Sequence, residues 1–241
     1  MLKKLVKKIV MGHKADCESY LAFLKRGGAT VGDNVRIFTP SQTHIDDQAL
    51  HLLHIGSNVV ITGPVTILTH DYSSFVCMRR YPERERAVAA MRSVTIGDNV
   101  FVGWGATILP GTTIGENTII GAGAVVSGNI EADSVYAGNP ARKIMTLEDF
   151  YQRRIARQEG EAKNIYKSYL NSFGKEPTAE CFYGYESLWA RSRYSHCRYD
   201  SYSNFCDSIK EQIMEGKTND YHENTISDVL LRWRHRYGKL F

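Results

Sequence analysis

The sequence lacks any C-x-x-C pair, and its five cysteines, Cys17, Cys77, Cys181, Cys197 and Cys206, fall at irregular intervals. An odd, unpatterned set excludes a disulfide framework and zinc-finger spacing; it reads as reduced, mostly buried thiols in a cytoplasmic protein. Proline is scarce, six in 241 residues, while 43% of the chain is hydrophobic. That composition argues against disordered and fibrous proteins, and the length fits one sizeable domain, or one domain plus an appendage. Long apolar runs are missing, none approaching the ~20 residues that span a bilayer. Neither sign of charge dominates, at 30 Lys and Arg against 26 Asp and Glu. With no basic helix interleaved with stacking aromatics, nucleic acid is not an expected partner.

The opening "MLKKLVKKIVMGHK" falls short of a secretion signal, because Lys7 and Lys8 split its apolar residues and no small-residue cleavage site follows. Leu2, Leu5, Val6, Ile9 and Val10 have helical spacing. The expectation is a helix docked on the protein with its lysines in solvent, in preference to contact with a membrane surface.

What the chain has in quantity is a period of six. Between Val94 and Ala141 the aliphatics Ile96, Val102, Ile108, Ile114, Ile120 and Val126 recur at every sixth position, and glycine follows at Gly97, Gly103, Gly115 and Gly121. The same phase holds upstream at Val31, Ile37, Ile55, Ile61 and Ile67, so the repeat is expected to persist through the noisier stretch between. Six matches neither an α-helix nor a flat strand. It suits a short strand and a tight corner, with the aliphatic inward and glycine or asparagine at the positive-φ positions. Three such units close a triangular coil, and stacked coils bury a column of Ile and Val.

This pattern, ending in "YAGNPARKI", resembles the hexapeptide-repeat acyltransferases, among them the maltose and galactoside and the capsule and lipopolysaccharide sugar O-acetyltransferases. The resemblance implies a left-handed parallel β-helix over residues 30–145, assembled as a homotrimer. A helical segment (1–29) precedes it and a helical, aromatic-rich extension (146–241) follows. The handedness comes from the resemblance alone, since general chain geometry favours right-handed crossovers.

The resemblance also implies acetyl-CoA as co-substrate and active sites between subunits. His70 in "ILTHDYS" stands where the related enzymes carry the base that deprotonates the acceptor. Asp71, beside it, is assigned to the acceptor, because adjacent side chains often point apart. Asp46 is matched by acidic residues near the acceptor pocket of the maltose and galactoside enzymes, and is assigned there too. The aligned repeats put Gly103 and Trp104 beside the pantetheine arm and Ala122 where the backbone contacts that arm. Ser127 falls where relatives place a threonine, with Gly128 in place of the lysine that commonly follows; Arg142, assisted by Lys143, matches a basic residue near the nucleotide end.

Between Ile67 and Ile96 the repeat breaks, and an insertion at about 72–93 is expected to loop out and wall the acceptor pocket. Arg79, with Arg80, Arg84 and Arg86, would favour an acidic acceptor or steer CoA phosphates, or else pair with Glu83 and Glu85 in solvent. Cys77 is read as packing. His44, His51 and His54 raise the alternative of a zinc enzyme like the β-helical carbonic anhydrases, but one histidine well upstream of a close pair is not reproduced, so no metal is assigned.

At the ends, "ADCESYLAFLKRGG" reads as a helix stopped by Gly27 and Gly28, and Thr146 to Asp149 as a capping box opening a second helix. A further capped segment runs from Thr225 to Gly238. Trp189 and neighbouring tyrosines would stack on sugars or, as preferred, pack an appendage onto the β-helix or the trimer. The expected activity is acetyl transfer to a sugar hydroxyl. The alternatives are amino-sugar N-acetylation, zinc chemistry and a non-catalytic scaffold.

Overall fold

The computed structural model describes residues 2–82, 89–190 and 196–214. Backbone packing divides the chain into two units, Met1–Arg154 and Ile155–Phe241.

The first unit opens with α1 (Leu2–Met11), a turn at Gly12–Ala15 and α2 (Cys17–Arg26). Asp16 starts α2 by accepting a hydrogen bond from the Ser19 N–H at 2.8 Å. Gly27 and Gly28 stop it, Gly28 taking φ of 99°. Tyr20 and Leu24 of α2 are buried in the main core. By contrast, α1 does not dock as expected: every side chain from Val6 to Met11 is exposed.

A first coil then supplies β1 (Thr30–Val31), β2 (Arg36–Ile37) and β3 (His44–Ile45). The second supplies β4 (Leu53–Ile55), β5 (Val60–Ile61) and β6 (Thr66–Ile67). An excursion follows through β7 (His70–Asp71), α3 (Ser74–Arg80) and β8 (Ala90–Met91). The chain returns as β9 (Val94–Ile96), β10 (Phe101–Val102) and β11 (Thr107–Ile108), then β12 (Thr113–Ile114), β13 (Ile119–Ile120) and β14 (Val125–Val126). The series closes with β15 (Asn129–Ile130), β16 (Ser134–Ala137) and β17 (Arg142–Thr146).

These strands form three parallel sheets visited in rotation: β1-β4-β9-β12-β15, β2-β5-β10-β13-β16 and β3-β6-β11-β14. Only β17 on β16 and β8 on β7 are antiparallel among the described strands. The register stacks like on like, Val31 against Ile55, Ile55 against Ile96, Ile96 against Ile114. Three inward columns result, and Ile55, Ile61, Ile67, Ile96, Val102, Ile108, Ile120 and Val126 are each at most 1% exposed. Burying each such side chain contributes about 1.5–3 kcal/mol, which is what holds two-residue strands in place.

The corners divide the labour differently from expectation. Asparagine does supply positive φ, at Asn34, Asn58, Asn99 and Asn117, and these stack with side-chain bonds from Asn34 to Asn58 (3.2 Å) and Asn99 to Asn117 (2.8 Å). The glycines directly after the aliphatics do not have positive φ; the approach of the next coil demands them. A Cβ added at Gly115 would lie 2.5 Å from the Ala132 backbone nitrogen, and one at Gly103 2.6 Å from that of Ala122. Gly115→Ala is therefore expected to lower stability by about 1–3 kcal/mol. Gly160→Ala, within a helix and with nothing within 4 Å of the added carbon, should be neutral or stabilising by up to ~1 kcal/mol. Thermal unfolding of the two variants measures the contrast.

The repeat does not run unbroken through the first coil. Val31 pairs directly with Ile55, so these 24 positions make one coil, against 18 between Ile96 and Ile114. The surplus is split: Ile37 and Ile45 stand eight apart and Ile45 and Ile55 ten apart, the latter a detour containing Asp46 and a short turn at Leu50–Leu52.

Helix α4 (Leu147–Phe173) begins at a cap like the one the sequence implies: the Asp149 N–H donates to Thr146 Oγ1 at 3.1 Å, and that hydroxyl donates to the Asp149 carboxylate at 2.7 Å. The second unit contains the rest of α4 and α5 (Tyr202–Met214). Its core joins Ala162, Tyr166, Phe182, Leu188, Trp189, Phe205, Cys206 and Ile209. Trp189 is 8% exposed, its ring 4.9 Å from that of Phe205 and 5.2 Å from that of Tyr202. It packs a core of this unit's own and is not presented to a sugar. The expected segment from Thr225 to Gly238 lies outside the described residues. Cys206 is buried, Cys17, Cys181 and Cys197 are half-buried, and Cys77 is exposed, contrary to its reading as packing. Among the described residues no helix is long and apolar enough to cross a membrane.

Candidate active site

The detour after β3 meets the chain leaving β6. Because Ile45 pairs with Ile67, the Asp46 N–H reaches the Ile67 carbonyl (2.9 Å) and its side chain lies against Thr69 and His70. Asp46 is 3% exposed, and its carboxylate is fully engaged. Oδ1 accepts from the Gln48 N–H at 3.2 Å. Oδ2 accepts from Thr69 Oγ1 at 2.6 Å, from the Thr69 N–H at 3.2 Å and from His70 Nδ1. Burial alone would push this carboxyl up, but the bonds from Thr69, His70 and Gln48 outweigh it and hold it below the usual carboxylate range.

Against an ionised carboxylate, the neutral form of the His70 ring places its proton on Nδ1 and its lone pair on Nε2. The imidazole is 17% exposed. Its edge meets the Tyr72 ring at 4.4 Å, and Tyr72 donates to Gln48 Oε1 at 2.6 Å. An oriented, partly exposed imidazole with Nε2 unprotonated is what a general base requires.

His70 is also the root of the excursion. It faces Met91 across the β7–β8 pair, and the Thr69 carbonyl accepts from the Arg92 N–H at 2.8 Å. The excursion is therefore a two-stranded ribbon carrying α3 rather than a bare loop. Phe75, Val76 and Met78 of α3 are exposed, as is Tyr72 just before it.

The structure separates the sequence-assigned residues into groups. The carboxylate of Asp46, assigned to the acceptor, accepts from Thr69, Gln48 and His70. Asp71 is exposed and accepts from the Ser73 N–H (2.7 Å) and hydroxyl (2.9 Å), which hold its carboxyl below the ordinary range, with Arg92 and His70 adding to the effect. Arg79 lies on α3 with its guanidinium 4.6 Å from the Phe75 ring, and nothing brings it to His70. Glu83, Arg84, Glu85 and Arg86 lie outside the described residues.

Trp104 and Ala122 share one corner on consecutive coils, where the Gly123 N–H donates to the Trp104 carbonyl at 2.8 Å. Trp104 is 55% exposed. Ser127 follows β14 on the same side of the sheet β3-β6-β11-β14 from which His70 leaves β6, with β11 between the two strands. Arg142 and Lys143 start β17, and Lys143 pairs with Glu131 at 2.5 Å. His44 and His54 point outward from different sheets. Among the described residues no three of His, Cys, Asp and Glu cluster to hold a metal. Sequence reasoning missed Thr69, Gln48, Tyr72 and Arg92; the spacing of Gln48 from Asp46 and of Tyr72 from His70, two residues each, was the available signal.

The family model described as bacterial transferase hexapeptide, six repeats, matches residues 93–128. Over 142 residues the chain is 34% identical to Protein CapG of Staphylococcus aureus, covering 59% of this chain and 79% of that protein. The chain belongs to the hexapeptide-repeat transferase family. WbbJ of Escherichia coli K12, provisionally named a lipopolysaccharide biosynthesis O-acetyl transferase, is 32% identical over 124 residues, 49% of this chain and 61% of that one. A galactoside acetyltransferase solved in complex with coenzyme A is 29% identical, covering 62% of this chain and 83% of that chain with a TM-score of 0.42. The family-matched segment contains Gly103, Trp104, Ala122 and Ser127, whereas Asp46 and His70 lie before it.

Proposed function

We propose that this enzyme moves acetyl from acetyl-CoA to a hydroxyl of a sugar or glycan precursor, with His70 as general base. The single observation that carries the reading is the buried Asp46 carboxylate on His70 Nδ1, which leaves Nε2 to accept a proton. Nε2 takes the hydroxyl proton as the oxygen attacks the thioester carbonyl. The tetrahedral oxyanion collapses, the C–S bond breaks, and the CoA thiolate leaves with the proton returned from the imidazolium. No acyl-enzyme forms.

The donor follows from the transferase family, and the sugar hydroxyl from the names of the relatives. Trp104, Gly103 and Ala122 would flank the pantetheine, Ser127 the corner beyond it, and Arg142 with Lys143 the nucleotide end. Asp71 and the excursion would face the acceptor. The family resemblance further implies left-handed coils, a cytoplasmic homotrimer and sites shared between neighbouring subunits.

Thiol release from acetyl-CoA, screened over sugars and amino sugars, tests this. The expected result is turnover with a sugar hydroxyl and an ester product cleaved by mild base. A base-stable amide, or no turnover with any sugar, overturns the O-acetyl assignment.

A further inference from the structure

Among the described residues the one ion pair of helix α1 joins Lys8 to Asp16 at 3.9 Å, at the helix's own root, and its described apolar side chains are left in solvent. Val6, Ile9 and Val10 are 50, 75 and 77% exposed, and Lys7 and Lys8 are exposed as well. Ten residues are too few for an isolated helix to persist in water, where ~12–15 are marginal even for good helix formers. Its apolar arc therefore calls for a cover that the described residues do not supply.

The root of α1 is fixed. The His13 ring stacks on Phe23 at 3.8 Å, Lys14 donates to the Thr43 carbonyl at 2.9 Å, and Ala15 is 2% exposed. The turn is thus tied to the body while the helix it carries is not.

The sequence of α1 says what chemistry would cover it. At helical spacing Leu2, Leu5, Val6, Ile9 and Val10 share one arc, and Lys3, Lys4, Lys7 and Lys8 share the opposite one. The helix contains no acidic residue. Two copies packed through their apolar arcs would bring lysines together with no acid to pair them, and ten residues do not sustain a coiled-coil seam. An anionic bilayer satisfies both arcs, with aliphatics at the acyl boundary and ammonium groups at lipid phosphates. We propose that α1 is an interfacial helix that docks this enzyme on an anionic membrane surface. The proposal is independent of the reaction assigned above.

Co-sedimentation of the full chain with vesicles tests it. Binding should be at least about tenfold stronger to phosphatidylcholine containing about one-third phosphatidylglycerol than to phosphatidylcholine alone, and should weaken as salt rises. Ile9→Glu/Val10→Glu and, separately, Lys4→Glu/Lys7→Glu should each lose that binding while releasing CoA from acetyl-CoA at the unmodified rate. No preference of the unmodified chain for anionic vesicles overturns the proposal. So does undiminished binding by both variants. A fall in oligomer mass on sedimentation of Ile9→Glu/Val10→Glu would show instead that a second copy covers the helix.

Discussion

His70→Ala is expected to lower kcat for CoA release by about 10²–10⁴-fold, the range that a positioned general base supplies. The imidazole is the one group at this site with a nitrogen oriented by a buried carboxylate and a second nitrogen left to take a proton. Removing it deletes the proton acceptor, while Asp46 keeps its bonds to Thr69 and Gln48. Stability should therefore fall only by the ~1–3 kcal/mol typical of a buried polar group that loses one partner. CoA affinity measured by calorimetry should be unchanged, because the proposed CoA residues lie on later coils. Turnover within a few-fold of the unmodified enzyme would refute the assignment.

Asp46→Asn tests the same chemistry through the neighbour. An amide of nearly the same shape offers a donor N–H toward His70 Nδ1, which favours the tautomer carrying its proton on Nε2. A protonated Nε2 cannot receive the acceptor's proton, so kcat should drop by about 10²–10⁴-fold although the ring stays in place. This variant also has a pH signature. The bonds from Thr69, His70 and Gln48 depress the folded-state value of Asp46, so its ionised form is favoured in the folded chain. Its contribution to stability is complete above the unfolded value of about 3.9 and is lost as pH falls through the lower, folded one. The stability gap between unmodified chain and Asp46→Asn should accordingly narrow below about pH 4. A gap independent of acid would mean that Asp46 is not held ionised.

The columns of the coil were legible because burial acts on every repeat alike: Ile96, Val102, Ile108 and their fellows each meet the same requirement, so the period survives in the sequence. The caps at Asp16 and Thr146 concern only neighbouring residues. His70 was singled out by resemblance. Its partnership with Asp46 was not legible, because Asp46 stands 24 residues away and meets it through the pairing of β3 with β6, which the surplus length of the first coil shifts off the repeat's phase. A strict six-residue phase conceals that surplus, since 24 is also a multiple of six. The glycines were located but misread: a local conformational rule favours positive φ, whereas the actual constraint is a backbone one coil above. Trp189 could not be placed from sequence, because an aromatic-rich stretch looks the same whether it binds a ligand or fills its own core. The exposure of α1 was hidden likewise, since an amphipathic pattern specifies that one face is to be covered and not by what.

The stacking ignores the length of the excursion. Thr66 and Ile67 pair with Thr107 and Ile108, and Leu53 with Val94, whatever lies between His70 and Met91. The seam closes behind the ribbon like a page behind a bookmark. Residues 72–89 can thus lengthen, shorten or change character without disturbing a single rung of the column, while anything that alters the ribbon's first pair pulls directly on the imidazole.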